Sequence, residues 1–300
     1  MVAPAFVDLL DPDRDELRRA LSIGLESVDE WQALRPAGDV RPRIVARDHY
    51  VFAVLLVAVV VPEENRVYYQ ELDVVVLPDE LVLIRKTPPD GEPFDTAAVH
   101  EGCREHDAPG IKVAILLDVV AERYLELVDD IDAEIDELED KLEALTAREI
   151  GRRIADLRHD ILQVRRHLTP TRDAVRRLVD GRIDDEAGRD VVPRDAEIRL
   201  GDVYDKLLRA TESLDLARDL VSSARDYHQS LIANQQNDVM KRLAVVASLL
   251  LVPTFIVGVY GQNFDHMPEL HWRLGYGFSW GVIVVTTVGQ LVFFRWKRWL

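Results

Sequence analysis

The sequence predicts an α+β domain followed by a long helical stalk and a C-terminal transmembrane hairpin of two helices. Three observations carry this. Only two stretches of the 300 residues are apolar enough to cross a membrane, Leu243 to Tyr260 and Gly275 to Phe294, each about one bilayer core in length. The loop between them, Gly261 to Leu274, is too short for a folded domain. Before them stands a very acidic body, and the whole chain carries a formal net charge of −17. The expected organisation is a cytoplasmic α/β domain over 1–110, a helical hairpin and stalk over 111–236, and a membrane domain over 237–300.

In chain order, Phe6 to Leu10 is a short apolar stretch, and Asp11-Pro12 is expected to open a helix. Asp11 can accept orphan N–H groups there, and Pro12 suits the first turn. Leu17, Ala20, Leu21 and Gly24-Leu25 continue at helical spacing, up to a Pro- and Gly-rich break at Arg35 to Pro42. Tyr50 to Val61, Val67 to Leu77 and Leu81 to Lys86 read as the strands of an antiparallel or mixed sheet. Turns are expected at Pro62-Glu63-Glu64-Asn65 and Pro78-Asp79. From Ala97 the pattern is helical. Ile111 to Leu145 is amphipathic, with Ile131, Ile135, Leu138, Leu142 and Leu145 in one stripe and a solvated or salt-bridged acidic face beside it. Arg148 to Leu178 reads as its antiparallel, Arg-rich partner, and Gly181 and Gly188 mark a break. After Pro193 the spacing predicts one helix from Asp195 to Tyr260, crossed only by Gly201 and Pro253 and roughly 100 Å long at 1.5 Å per residue. A stalk of that length calls for partners, hence an oligomer.

Charge narrows the function. An acidic chain offers no basic face for nucleic acid and suits a cationic partner. Lys241 and Arg242 precede the first span, and Arg295, Lys297 and Arg298 follow the second. The positive-inside rule therefore expects a multi-pass protein of the cell membrane with both termini in the cytoplasm. The single Cys103 excludes an internal disulfide. His100, Cys103 and His106 have metal-like spacing but lack a fourth ligand, and no catalytic motif is present, so an enzyme is not expected.

Asn237, Met240, Leu243, Ala247, Leu251, Thr254, Gly258 and Gly261 recur at intervals of three and four. Periodicity alone leaves two readings open: the lining of a narrow pore in a bundle of first spans, or a packing seam of small residues. Asn263 offers a neutral oxygen to the tightly held waters of Mg²⁺, and Gly261 lets the backbone approach closely; equally, the pair could simply end the helix. Glu269, with Asp265, makes the connecting loop acidic and would concentrate cations. Asp202 and Asp205 are candidate regulatory cation ligands or ordinary solvated residues. The absence of His and Cys from the stripe favours Mg²⁺ over Zn²⁺.

Tyr260-Gly261-Gln262-Asn263-Phe264 after a first span, then Met267-Pro268-Glu269-Leu270, a second span and a basic tail ending in Trp299-Leu300, resembles the CorA family of magnesium and divalent-cation channels. The family signature is Gly-Met-Asn, and Gln262 replaces its Met; Leu251 stands where relatives carry Met. The resemblance implies a funnel-shaped homo-oligomer, a pentamer, in the lipid bilayer. It implies potential-driven Mg²⁺ influx along the stripe, with Gly261 and Asn263 as the filter. It also implies closure by cytoplasmic Mg²⁺ held between subunits at Asp202, so that Mg²⁺ is both transported and regulatory. The family's second acid precedes an Arg-Pro-Lys-like motif, matched here by Arg41-Pro42-Arg43. At its expected place stand Gln32 or Leu34, with Asp29 and Glu30 nearby. Transport of Zn²⁺, Co²⁺ or Ni²⁺, and a non-conducting cation sensor, are the alternatives.

Overall fold

The computed structural model describes residues 5–38, 40–61, 66–88, 91–104, 106, 108–142, 144–180, 194–262, 267 and 271–299. The turn expected at Pro62 to Asn65 and the breaks at Gly181, Gly188 and Pro193 lie outside them. The chain divides into two compact units, Met1–Ala224 and Arg225–Leu300.

The first unit is built on a five-stranded mixed sheet. Its strands are β1 (Ala5–Leu10), β2 (Arg43–Ala46), β3 (Val51–Val61), β4 (Arg66–Val76) and β5 (Glu80–Arg85), in the spatial order β1-β5-β4-β3-β2. Only β1 and β5 pair in parallel. Two short helices follow β1: α1 (Arg14–Ala20) and α2 (Ser27–Leu34). After the sheet come α3 (Ala97–Cys103), α4 (Pro109–Asp140), α5 (Ala147–Val179) and the 67-residue α6 (Arg194–Tyr260). The last helix is α7 (Gly275–Trp296).

Period-two alternation sends the side chains of each strand to two different cores. Val51, Ala53, Leu55 and Val57 of β3 join Leu72, Val74 and Val76 of β4 in a core shared with α4, α5 and the first part of α6. Phe52 and Val54 face the other way, with Val75, Val82 and Ile84, onto Leu17 and Leu21 from the α1 region. The sheet is therefore covered on both faces, which is why β3 is apolar throughout. Tyr124 of α4 is fully buried and its hydroxyl donates to Leu56 O at 2.9 Å, fixing α4 on the sheet. The stripe expected on α4 is buried at Ile131, Ile135 and Leu138, and its acidic flank meets α5 where Arg153 lies 3.5 Å from Glu137.

Two expectations for the N-terminus are corrected. Asp11 does not cap α1. Its φ is 45°, its N–H donates to Arg85 O (2.9 Å), and its carboxylate accepts from Thr87 N (3.0 Å) and Thr87 Oγ1 (2.5 Å), so it closes the β1–β5 edge. Asp13 is the cap: its Oδ1 accepts Glu16 N–H at 2.7 Å and Glu16 Oε2 accepts Asp13 N–H at 3.1 Å, a reciprocal capping box. Nor does the helix run on to Gly24-Leu25. Leu21 is already extended and Gly24 is a poor helix former, so a separate α2 begins at Ser27.

Between α2 and the sheet lies a buried charged cluster. Lys86 Nζ is 2.5 Å from Glu71 Oε1 and 2.7 Å from Asp73 Oδ2, and donates to Gln32 O at 2.5 Å. Glu71 also accepts from Gln32 Nε2 (2.6 Å) and Arg35 (2.9 Å). Glu71, Asp73 and Lys86 are at most 1% exposed. Burial pushes the Asp73 carboxyl up to about 7 despite Lys86 beside it.

Candidate functional site

In the second unit α6 presents two different faces. Val245 is buried, and Ser248, Leu249, Val252, Ile256 and Val259 are half-buried. At about 100° per residue these share one side of the helix. Gln290 of α7 reaches this side, with Nε2 donating to Ser248 Oγ at 3.0 Å. Met240, Leu243, Ala247, Leu251, Thr254 and Gly258 lie away from that side, and they and Asn237 are all exposed, Met240, Leu243 and Leu251 by 67%, 65% and 69%. The stripe is thus not a seam against α7. Both helices are long and apolar enough to cross a membrane, and only 6% of each apolar window is buried. The core helix of a soluble protein would be mostly covered, so these surfaces require an apolar solvent or apolar partners.

The helix passes through Pro253 unbroken. Thr254 Oγ1 donates to Leu250 O at 2.6 Å, which leaves its lone pairs free to accept from the stripe side. At the end of α6, Gly261 N–H bonds Val257 O at 2.9 Å and Gln262 N–H bonds Val259 O at 3.3 Å. A Cβ on Gly261 would stand 3.2 Å from Val257 O, so close backbone approach, rather than a left-handed φ, is what glycine allows here. Gln262 is exposed. Asn263, Asp265 and Glu269 lie outside the described residues.

Asp202 and Asp205 sit exposed on α6, in the first unit, and line an open cleft of about 960 Å³ with Asp118 of α4, Arg199, Lys206 and Arg209. Lys206 takes up Asp118 (2.8 Å) and Glu122 (2.9 Å). Partial burial opposes the Lys206 ammonium, yet those two carboxylates hold its pKa above the usual lysine value. Among the described residues no three His, Cys, Asp or Glu side chains converge as a metal site. The described residues of one chain bring Asp202 and Asp205 to one cleft.

Where the resemblance leads one to expect a second acid, the side chains of Asp29, Glu30 and Gln32 are already engaged. Asp29 is buried and binds Arg47 (2.8 and 3.0 Å) and the Tyr50 hydroxyl (2.9 Å). Burial first, then this carboxylate, pushes the Tyr50 phenol up to about 12. Glu30 pairs with Arg14 (3.4 Å) and Arg18 (3.1 Å). Gln32 belongs to the Lys86 cluster. The His-Cys-His spacing forms no metal site either: Cys103 is in the core, and His100 Nε2 lies 3.1 Å from Asp8 Oδ2.

Residues 3–298 match the family described as CorA-like Mg²⁺ transporter protein. The chain belongs to the CorA family. That places it among transporters rather than enzymes. YfjQ of Bacillus subtilis is 34% identical over 191 residues, 64% of this chain and 58% of YfjQ. The cobalt/magnesium transport protein CorA of Thermotoga maritima is 27% identical over 267 residues, 87% of this chain and 73% of that protein. The complete structure of the CorA magnesium transporter from Methanocaldococcus jannaschii superposes with a TM-score of 0.79 at 21% identity, over 98% of this chain and 91% of that one. The CorA fold seen there is the fold read here: an N-terminal α/β domain, a long helical stalk and C-terminal apolar helices.

Two features of this CorA-family chain were missed by sequence reasoning. The Lys86 cluster gave only isolated polar letters within strands. Gln290 is a lone amide in an apolar run, and that isolation was the available signal. Gln290→Leu is expected to lower the stability of the α6–α7 pair by about 1 kcal/mol. Unfolding of the reconstituted chain in mixed micelles measures this, and an unchanged midpoint would remove Gln290 as an interhelical tie.

Proposed function

We propose that this chain forms a homo-oligomeric, pentameric channel of funnel shape that admits Mg²⁺ into the cytoplasm down the membrane potential. The observation that carries this reading is the exposed stripe from Asn237 to Gly258, turned away from α7 and ending at the Gly261-Gln262-Asn263 motif. Brought together about an axis, such stripes make a narrow, mostly apolar conduit with polar rings at Asn237 and Thr254, which dewets when closed. Gly261 and Asn263 are its filter: neutral oxygens can hold a hydrated Mg²⁺ through its waters without trapping it. Glu269 in the outer loop gathers cations. Both termini lie in the cytoplasm, by the positive charges that flank the two spans. The relatives support the ion class, because those quoted above include magnesium and cobalt/magnesium transport proteins.

Ion entry into proteoliposomes tests this. With a negative-inside potential and no proton gradient, Mg²⁺ entry is expected. Entry of Zn²⁺ alone, or only with a proton gradient, would replace the Mg²⁺ channel with a transporter of softer ions. No entry of any ion from inserted oligomers would leave a cation sensor.

Regulation belongs to Asp202 and Asp205. Carboxylates of adjacent subunits repel, and a bound Mg²⁺ cancels that repulsion and holds the closed state. Both acids are exposed on one open cleft, where a neighbouring subunit has room to add ligands. Asp202→Ala/Asp205→Ala is expected to raise the internal Mg²⁺ needed to halve the flux by about tenfold, a typical coupling between sites. An unaltered inhibition curve would take regulation away from these two residues.

A further inference from the structure

Arg41 and Arg43 flank the buried Pro42 at the start of β2, the edge strand of the sheet. Arg177 projects from the last turns of α5, which packs on β2. The three line one cleft of about 500 Å³, together with Gln32, Pro170 and Asp173. The guanidiniums are exposed, and among the described residues none of them forms an ion pair. This is unexpected in a chain with 54 acidic residues against 37 basic ones. Among the described residues the acids nearby are taken: Asp173 binds Arg172 at 2.9 Å, and Asp180 lies 3.4 Å from Arg176. Arg41 also borders a second cleft with Arg165, whose charge goes to Asp215 at 2.8 Å.

We infer that the Arg41–Arg43–Arg177 cleft is a binding site for a phosphate-bearing anion of nucleotide size. Three like charges held around one concavity repel each other, and a multivalent anion reverses the sign of that interaction. Arginine, rather than lysine, supplies the planar fork that grips two oxygens of one phosphate. A cleft of this volume suits a small organic ligand. Pro42 and Ala174 add apolar wall beside the charges. Such a ligand would bridge the sheet edge to α5.

Binding of a fluorescent ADP analogue to the purified full-length protein in detergent tests this. EDTA is present, so that no metal carries the nucleotide to the ion pathway. Arg41→Ala, Arg43→Ala and Arg177→Ala are each expected to weaken binding about tenfold, the loss of one charge-assisted contact. Arg177→Lys should weaken it less, having the charge without the fork. Arg158→Ala, on α5 but outside the cleft, should leave it unchanged, and pyrophosphate should compete. Melting curves matching the parent show that the cleft variants are folded. The assignment is overturned if nothing binds at millimolar ADP or if Arg158→Ala weakens binding as much as the cleft variants do. It is also overturned if charge reversal at Arg41 and Arg177 dissociates the oligomer, since the cleft then holds an acidic face of a second copy.

Discussion

Asn263→Ala is expected to reduce Mg²⁺ entry into proteoliposomes to about a tenth of the parent rate or less. The expectation follows from what an Mg²⁺ filter must do. The ion gives up its waters reluctantly, so the mouth has to replace the outer hydration layer, and a carboxamide oxygen does this at a cost per contact of about 1 kcal/mol when removed. In the proposed ring each subunit would add that cost once. Asn263→Asp separates affinity from passage: a ring of carboxylates should hold the ion longer and slow its exit, so entry falls although binding tightens. Gln262→Met restores the family's usual residue beside an exposed position and should leave the Mg²⁺ rate within about twofold, since it adds no ligand. Parent-like flux from Asn263→Ala would remove the filter from this loop.

Different parts of this chain were legible for different physical reasons. β3 is eleven residues of apolar side chains because both sheet faces are covered, and such a run is visible in any reading. β2 has four residues and α2 has eight with no side-chain cap, so neither carries enough periodicity to stand out, yet β2 forms the sheet edge and α2 covers a face. Asp11 and Asp13 are the same letter two positions apart; only the tertiary bond from Thr87 assigns one to the sheet and the other to the cap. The stripe from Asn237 to Gly258 was legible as a periodicity because intervals of three and four survive without any partner. Its freedom from α7 was not, because that depends on which side of α6 receives Gln290. Asp202 was legible as an acid on a helix, whereas its neighbour Asp118 comes from α4 and its competitor Lys206 already serves two other carboxylates.

Lys86→Met should destabilise the first unit by roughly 3–5 kcal/mol, because it removes one partner of a buried ion cluster and leaves the others without solvent. Lys86 is the nearest cation to Asp73, at 2.7 Å, and its contact and attraction are the main support for a charge there against burial. The pH dependence gives this a sign. Asp73 titrates at about 7 in the folded protein, against 3.8 for a free side chain. Between those values the native carboxyl keeps a proton that the unfolded one has lost. Its contribution to stability therefore falls as pH rises through that window and is level above it. Without Lys86 the folded value climbs further, so the variant's deficit should be larger at pH 8 than at pH 5. Urea unfolding of the full chain in detergent, with hydrogen exchange read on β4 and β5, measures both. Lys86→Met/Asp73→Leu is the decisive companion: it leaves Glu71 with Arg35 at 2.9 Å and Gln32 at 2.6 Å, one negative charge against one positive. That double variant should recover most of the lost stability and lose the pH slope. If it proves as unstable as the single variant, with the same slope, then the cost lies in lost packing and not in the unpaired charge.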